Sequence, residues 1–331
     1  MEIKQQKSLS EFYQGKRILV TGASGYIAWN LIKGLVEYSC DIVCFSSNTK
    51  NIKHSGIANF DFIEANYQDE VAFQKAVKNI DIVYHLASQT SVYEAEKNPL
   101  ADYEANVRPI QLLLEACRKS GSSPTIIFSG TSTQCGIPKE LPVDENVIDK
   151  PITTYDFHKL QAERWLKFYT SQGWVKGVSL RLANVYGPGP KSSSSDRGIL
   201  NLMINKALRG EDLTIYGTGE YIRDYIYIDD VISTFLSASI YINKFNGKHF
   251  VLGSGKGNTI NDAIHLVGKL VTKKTGKKVF VQNIDMPKDM SKIEFRNFKA
   301  GIDSFQKIGL CNNMLKIDEG INKTIEYYKR K

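Results

Sequence analysis

Short apolar runs alternate along the chain with stretches in which apolar residues recur every three or four positions. Residues 17 to 21, RILVT, form such a run and end in the turn GASG; NLIKGLVEY follows at helical spacing, and DIVCF is apolar again. A strand, a helix and a second strand are predicted. The pattern continues through the strand NFDFIEA, the helix VAFQKAVKN, the strand DIVYHLA, a long helix from about Leu100 to Ser120 and the strand TIIFSG. A helix through Tyr155 and the strand GVSLRLA complete it. Strands alternating with helices imply a parallel sheet covered on both faces. The glycine- and proline-rich YGPGPKSSSSDRG then predicts a mobile loop over a site. Beyond it the alternation is less regular, as expected of a smaller second lobe.

With 331 residues, 42% of them hydrophobic, the chain can bury a sizeable core as one large domain or two sharing an interface. No apolar run approaches the roughly 20 residues that span a bilayer, and the opening MEIKQQKSLSEF is polar rather than a secretory signal. A cytoplasmic protein without membrane insertion is expected. Cys40, Cys44, Cys117, Cys135 and Cys311 are odd in number and contain no CxxC pair, which argues against a disulfide framework and a zinc site. Reduced, mostly buried thiols and no metal are expected. The 43 Lys and Arg exceed the 35 Asp and Glu by 8, but the charges are spread out. The clusters TKKTGKK at 272 to 278 and the tail YYKRK read as a solvated helix end and tail rather than a nucleic-acid surface. A small molecule bearing phosphates would be helped by the surplus.

TGASGYIA, residues 21 to 28, puts Gly22, Gly25 and Ala28 at GxxGxxA spacing between the first strand and the first helix. Glycines there let the backbone approach a pyrophosphate at the helix N-terminus, the arrangement of a Rossmann dinucleotide site. A strictly NAD-specific site would end the second strand in Asp or Glu; here DIVCF runs into Ser46, Ser47 and Asn48, with Lys50 and Lys53 nearby. Removing the carboxylate removes its repulsion of a 2′-phosphate, so NAD or NADP is expected, with Ser46 favouring NADP. Tyr155 and Lys159 in TTYDFHKLQAE would share one helix face. The same spacing recurs at Tyr93 with Lys97 and at Tyr327 with Lys331, so spacing alone does not single it out. Tyr155 follows the hydroxyl-bearing strand end SGTSTQCG and opens a helix. Tyr93 sits in the acidic stretch YEAEK, and Tyr327 belongs to the terminal tail.

TGASGYIA, HLASQTSV, SGTSTQCG, YDFHK, RLANVYGPG, IYGTGEYIRDYIYIDDV and VLGSG occur in an order that resembles the extended short-chain dehydrogenase/reductases of the nucleotide-sugar epimerase/dehydratase family. The resemblance spans almost the whole chain. It implies a Rossmann cofactor domain of 1–183 with 226–254, and a smaller nucleotide-sugar-binding lobe of 184–225 with 255–331. Tyr155 would exchange a proton with a sugar hydroxyl while Lys159 binds the nicotinamide ribose and lowers the tyrosine pKa. A free phenol near pKa ~10 is a poor base at neutral pH, and a nearby ammonium stabilises the phenolate. Thr131 would hydrogen-bond the same sugar oxygen. Gly22, Ser24, Gly25, Tyr26 and Ile27 would meet the cofactor at the glycine turn, Ser46 and Ser47 at its ribose, Asn66 and Tyr67 at its adenine, and Leu86, Ala87 and Ser88 at its diphosphate and ribose. Gln89, Asn184, Tyr216, Arg223 and Arg296 would bind the nucleotide-diphosphate sugar, Arg being suited to a phosphate fork. A homodimer is implied, pairing helices near 100–119 and 156–172 through residues including Leu112, Leu113, Trp165 and Phe168.

The chain also departs from the family. Its 4,6-dehydratases carry Asp-Glu after the catalytic Thr, where this chain has Ser132 and Thr133, so dehydration is not expected. Cys135 replaces the Tyr of VYG, and His158 inside YDFHK replaces a commonly small residue and reads as a helix-surface position. The expected function is an enzyme acting by hydride transfer at C4 of the sugar, most simply a nucleotide-sugar 4-epimerase. An NADPH-dependent 4-keto-sugar reductase is the alternative. A catalytically idle nucleotide-binding or sensor protein is a remote third reading, disfavoured by the intact Thr131, Tyr155 and Lys159.

Overall fold

In the computed structural model, which describes residues 8–50, 52–190 and 198–330, RILVT forms the first strand and is buried on both faces. The described strands, in chain order, are β1 (Arg17–Thr21), β2 (Asp41–Ser46), β3 (Asn59–Glu64), β4 (Ile82–His85), β5 (Thr125–Thr131), β6 (Lys176–Leu182), β7 (Asn184–Tyr186), β8 (Leu213–Tyr216), β9 (Ile222–Tyr227), β10 (Lys248–Leu252), β11 (Gly257–Thr259) and β12 (Val281–Ile284). Seven of them make one parallel sheet in the order β10-β6-β5-β4-β1-β2-β3. The two-residue period sends Ile18 and Val20 into one core with Leu31 and Leu35, and Leu19 into the opposite core with Phe73, Leu113 and Phe128. Apolar residues on both faces are what a doubly covered parallel strand requires. β3 closes the edge with an exposed pattern.

The order reverses between β1 and β4, and loops after neighbouring strands diverge there to leave a crevice at the strands' carboxyl ends. Thr21 pairs with His85 across that point, and His85 with Phe128 of β5. Outside the seven-stranded sheet, the described residues form a three-stranded sheet in the order β11-β9-β7 and the parallel pair β12-β8. The helices Ile199–Leu208, Ile260–Thr275 and Ile317–Lys329 pack on one another beside them.

Several sequence expectations change. The long helix is two, Pro99–Asn106 and Arg108–Ser120, divided at Val107 because Pro109 in the first turn of the second cannot donate to a continuous ladder. Leu112 and Leu113, expected at a subunit interface, are buried within the chain itself. Tyr93 also opens a helix, Val92–Lys97, where Lys97 faces solvent and pairs with Glu94 at 2.8 Å. Tyr327 lies in the helix Ile317–Lys329 rather than a tail; Lys331 falls outside the described residues. The polar residues 1–7 and most of the expected mobile loop, 191–197, also fall outside them. His158 is buried rather than on the helix surface, because Asp102 of the helix Pro99–Asn106 faces its ring. Four of the five cysteines are buried and Cys311 is half-buried; burial pushes the Cys44 thiol up to about 12.

Candidate active site

The crevice begins at Gly22, whose φ of +69° is one that side-chain-bearing residues rarely adopt. A Cβ there would stand 2.7 Å from Ala87 N and 2.9 Å from the Leu86 carbonyl carbon, so the β1 and β4 loops meet backbone to backbone. Thr21 Oγ1 braces the contact by accepting from the N–H groups of Leu86 (3.2 Å) and Ala87 (3.3 Å). Gly25 is the N-cap of the helix Tyr26–Leu35 and offers no capping side chain. The first-turn N–H groups therefore lack a side-chain cap beside the glycine turn, with Ser24 and Gly25 exposed and Tyr26 and Ile27 half-buried. These residues fit a dinucleotide diphosphate. Tyr26 also donates to Gly187 O at 2.9 Å, tying the glycine turn to the start of the 187–190 segment.

At the adenosine end, Ser46 is fully buried and its hydroxyl meets Ser24 Oγ at 2.8 Å; Tyr67 also bonds to it. Ser47 and Asn66 are exposed at the ends of β2 and β3. The carboxylate absent from β2 stands on the neighbouring strand. Glu64, in register with Ser46, accepts from the backbone and hydroxyl of Thr49 at 3.0 and 2.8 Å.

Thr131 ends β5, and Tyr155 and Lys159 lie on the helix Thr154–Ser171, which packs against that strand. Thr153 caps that helix by accepting from Asp156 N, which fixes its start one turn before Lys159. Tyr155 is 6% exposed and packs with Val92, Ala95 and Ile293, the last contributed by the second lobe. Lys159 is 3% exposed and sits over the Phe128 ring of β5 at 4.4 Å. Burial lowers its pKa to about 7, against the opposing charges of Asp102 and Glu163. His85, between Thr21 and the Phe128 ring, is held neutral, lowered to about 3 by burial and by Lys159.

Thr131 is positioned by side chains that sequence reading did not single out. Its N–H donates to Gln134 Oε1 at 3.0 Å, and Gln134 Nε2 donates to Glu163 at 3.1 Å, four residues beyond Lys159. Arg181 of β6 donates to Glu163 at 2.8 and 2.9 Å and forks onto Asp149 at 2.6 and 2.9 Å. Burial pushes the Glu163 carboxyl up, but Arg181 outweighs it and holds the group ionised. Gly130 leaves room for this chain of bonds, since a Cβ there would meet Ser179 Oγ at 2.8 Å and Gln134 Oε1 at 3.1 Å. The Thr131 hydroxyl pairs with Thr133 Oγ1 at 2.9 Å, and Ser132 and Thr133 bring no carboxylate.

The residues expected to grip the substrate are less assembled. Gln89 turns toward its own loop and Asp102, donating at 2.9 Å to Ser91 O and at 2.8 Å to Asp102 Oδ1. Asn184 is half-buried on β7, and Tyr216 is exposed at the end of β8. Arg223 of β9 is buried and donates to the carbonyls of Ile222, Glu294 and Arg296 at 3.1, 2.8 and 2.5 Å, with the Glu294 carboxylate at 3.4 Å. Arg296, also buried, donates to Ile293 O at 3.1 Å. Both guanidinium groups thus brace the 293–296 segment that covers Tyr155.

The sequence model of the NAD dependent epimerase/dehydratase family matches residues 18–253. A putative UDP-glucose 4-epimerase of Methanocaldococcus jannaschii is 28% identical over 251 residues, 76% of this chain and 81% of the relative. UDP-glucuronic acid decarboxylase 1 of Xenopus tropicalis is 26% identical over 327 residues, 95% of this chain and 72% of the relative. The crystal structure of UDP-glucose 4-epimerase with UDP-glucose from Thermotoga maritima superposes with a TM-score of 0.83 at 28% identity, covering 95% of this chain and 99% of that one.

Proposed function

The chain belongs to the NAD-dependent epimerase/dehydratase family, and from that premise we propose that it is a nucleotide-sugar 4-epimerase acting on a UDP-hexose. The observation that supports this reading is Lys159 over the Phe128 ring of β5, four residues after Tyr155 on one helix, with Thr131 ending the same strand and hydroxyls, not carboxylates, at 132 and 133. Such a site can move a proton at a sugar hydroxyl but has no acid–base pair after Thr131 for eliminating water. Tyr155 takes the proton from the C4 hydroxyl and returns it, Thr131 hydrogen-bonds the same oxygen, and the Lys159 charge favours the phenolate. Gly22, Ser24, Gly25 and the 86–88 loop would hold the dinucleotide diphosphate. When bound, the nicotinamide supplies reversible two-electron oxidation at the sugar carbon. Arg223 and Arg296 would reach the substrate diphosphate by exchanging backbone carbonyls for phosphate oxygens.

The purified chain incubated with UDP-glucose and no added cofactor is expected to form the C4 epimer, read by NMR. Activity only on a 4-keto sugar with stoichiometric NADPH consumption would overturn this in favour of a 4-keto-sugar reductase. Ser46 favours that second reading and NADP, because β2 itself ends without a carboxylate, the neighbouring Glu64 is tied to Thr49, and Lys50 and Lys53 follow Ser46 in the sequence. For assembly we propose a homodimer formed through Leu100, Phe157, Trp165 and Phe168, apolar residues exposed on the helices Pro99–Asn106 and Thr154–Ser171. A monomer by light scattering at micromolar concentration would remove that proposal.

A further inference from the structure

His158 lies one residue before Lys159 and three after Tyr155, yet its ring turns away from solvent to Asp102. The contact, His158 Nδ1 to Asp102 Oδ2, is 2.7 Å, with side chains 10% and 1% exposed. The other oxygen of Asp102 accepts from Asn106 Nδ2 and Gln89 Nε2, each at 2.8 Å. Asn106 in turn accepts from Ser88 Oγ at 2.5 Å, and Ser88 also donates to Gln89 O at 2.8 Å. One buried carboxylate therefore ties together the 86–91 loop that meets Gly22, its own helix Pro99–Asn106, and the helix bearing Tyr155 and Lys159. Burial pushes the Asp102 carboxyl up, and the hydrogen bond from His158 opposes that rise. Losing that donor pushes the carboxyl further toward its protonated form.

We propose that Asp102 and His158 form a positioning pair that locks the catalytic helix to the cofactor loop and supplies the negative charge facing Lys159. Other groups around Lys159 do not replace it. Glu163, on the same helix, is already bonded to Arg181 of β6 and Lys167. His85 of β4 is neutral, β5 contributes the Phe128 ring, and the turn Ser132–Cys135 contributes hydroxyls and a thiol that burial holds up at about 11. Glu96 of the helix Val92–Lys97 is bonded to the Thr154 N–H. On the His158 side, Tyr103 meets the ring edge-on.

This inference rests on Tyr155 acting as the acid–base group, and its test needs no sugar. Phenolate absorbance is titrated in the NAD-loaded protein, with Tyr155→Phe subtracted so that the other tyrosines cancel. Asp102→Asn and His158→Leu are expected to raise the Tyr155 midpoint by about one pH unit, because the charge supporting Lys159 is lost. His158→Asn, whose amide can still donate to Asp102, should stay within about a third of that shift of the wild type. With substrate, the first two variants should lower kcat while leaving KM within about threefold, the signature of an interaction that matters in the transition state rather than in binding. An unchanged midpoint in Asp102→Asn overturns the proposal, as does a His158→Asn protein as displaced as His158→Leu. Should His158→Leu fail to fold, the other two variants decide alone. Absence of epimerisation by the wild type would remove the proposed function and leave the titration readable.

Discussion

At the β1–β4 end of the crevice, Gly22 and Ala87 meet through backbone atoms, and what shapes the surface is the absence of side chains. At the second-lobe end, Arg223 and Arg296 reach the 293–296 segment with long flexible side chains bonded to carbonyls. The first surface is fixed by dihedral angles and close packing, so it is shaped before any ligand arrives. The second is held by side-chain hydrogen bonds to carbonyls, so its form depends on which acceptors the guanidinium groups occupy. The two surfaces meet at Tyr155, which is carried by the sheet-side helix and covered by Ile293.

The largest expected effect lies at that junction. Tyr155→Phe should fold and bind cofactor but lower turnover by roughly a hundred- to ten-thousand-fold, as for loss of a positioned acid–base group. Tyr93→Phe and Tyr327→Phe should do little, and steady-state kinetics on all three would refute the assignment if the order were reversed. Gly22→Ala tests the rigid end: a positive φ and a 2.7 Å contact should cost about 1–3 kcal/mol of strain. Calorimetry should show reduced stability, and cofactor titration weaker binding; a wild-type affinity would show that the backbone there gives way.

Arg223→Ala tests the exchangeable end. Losing donors to buried carbonyls should destabilise the protein by about 1–3 kcal/mol and weaken UDP binding, with cofactor affinity nearly unchanged. Arg223→Lys keeps charge without the fork and should recover only part of either effect. Equal loss of UDP and cofactor affinity would erase the distinction between the two ends. The smallest effect is expected at the adenosine edge, where Ser46→Asp should shift preference from NADP toward NAD by about tenfold, or about 1.4 kcal/mol. An unchanged ratio of dissociation constants would place the 2′ position away from Ser46.

The sheet was readable because its determinants are local. RILVT forms β1 with the predicted ends, and the strands named from TIIFSG and GVSLRLA appear within a residue or two of their predicted ends. The glycine turn was readable for the same reason. His158 was misplaced because helical periodicity cannot reveal a buried partner 56 positions earlier in the chain. Gln134 carried one local signal, the Thr131-x-x-Gln134 capping-box spacing, but its links to Glu163, Arg181 and Gly130 come only from the fold. Arg223 and Arg296 were legible as residue types but not as conformations, since nothing in a motif says which acceptors a guanidinium will occupy.

Gly130 and Gln134 bear on the order in which substitutions can accumulate. The carboxamide occupies space that a Cβ on residue 130 would need, and it holds the backbone of Thr131. A Cβ at 130 would stand 2.8 Å from Ser179 Oγ and 3.1 Å from both Arg181 Cγ and Gln134 Oε1, so shortening Gln134 alone gives up the bond to Thr131 and leaves the closest contact in place. A larger residue at 130 therefore calls for accommodation at 134, 179 and 181 together, which makes the four positions a linked set rather than independent characters.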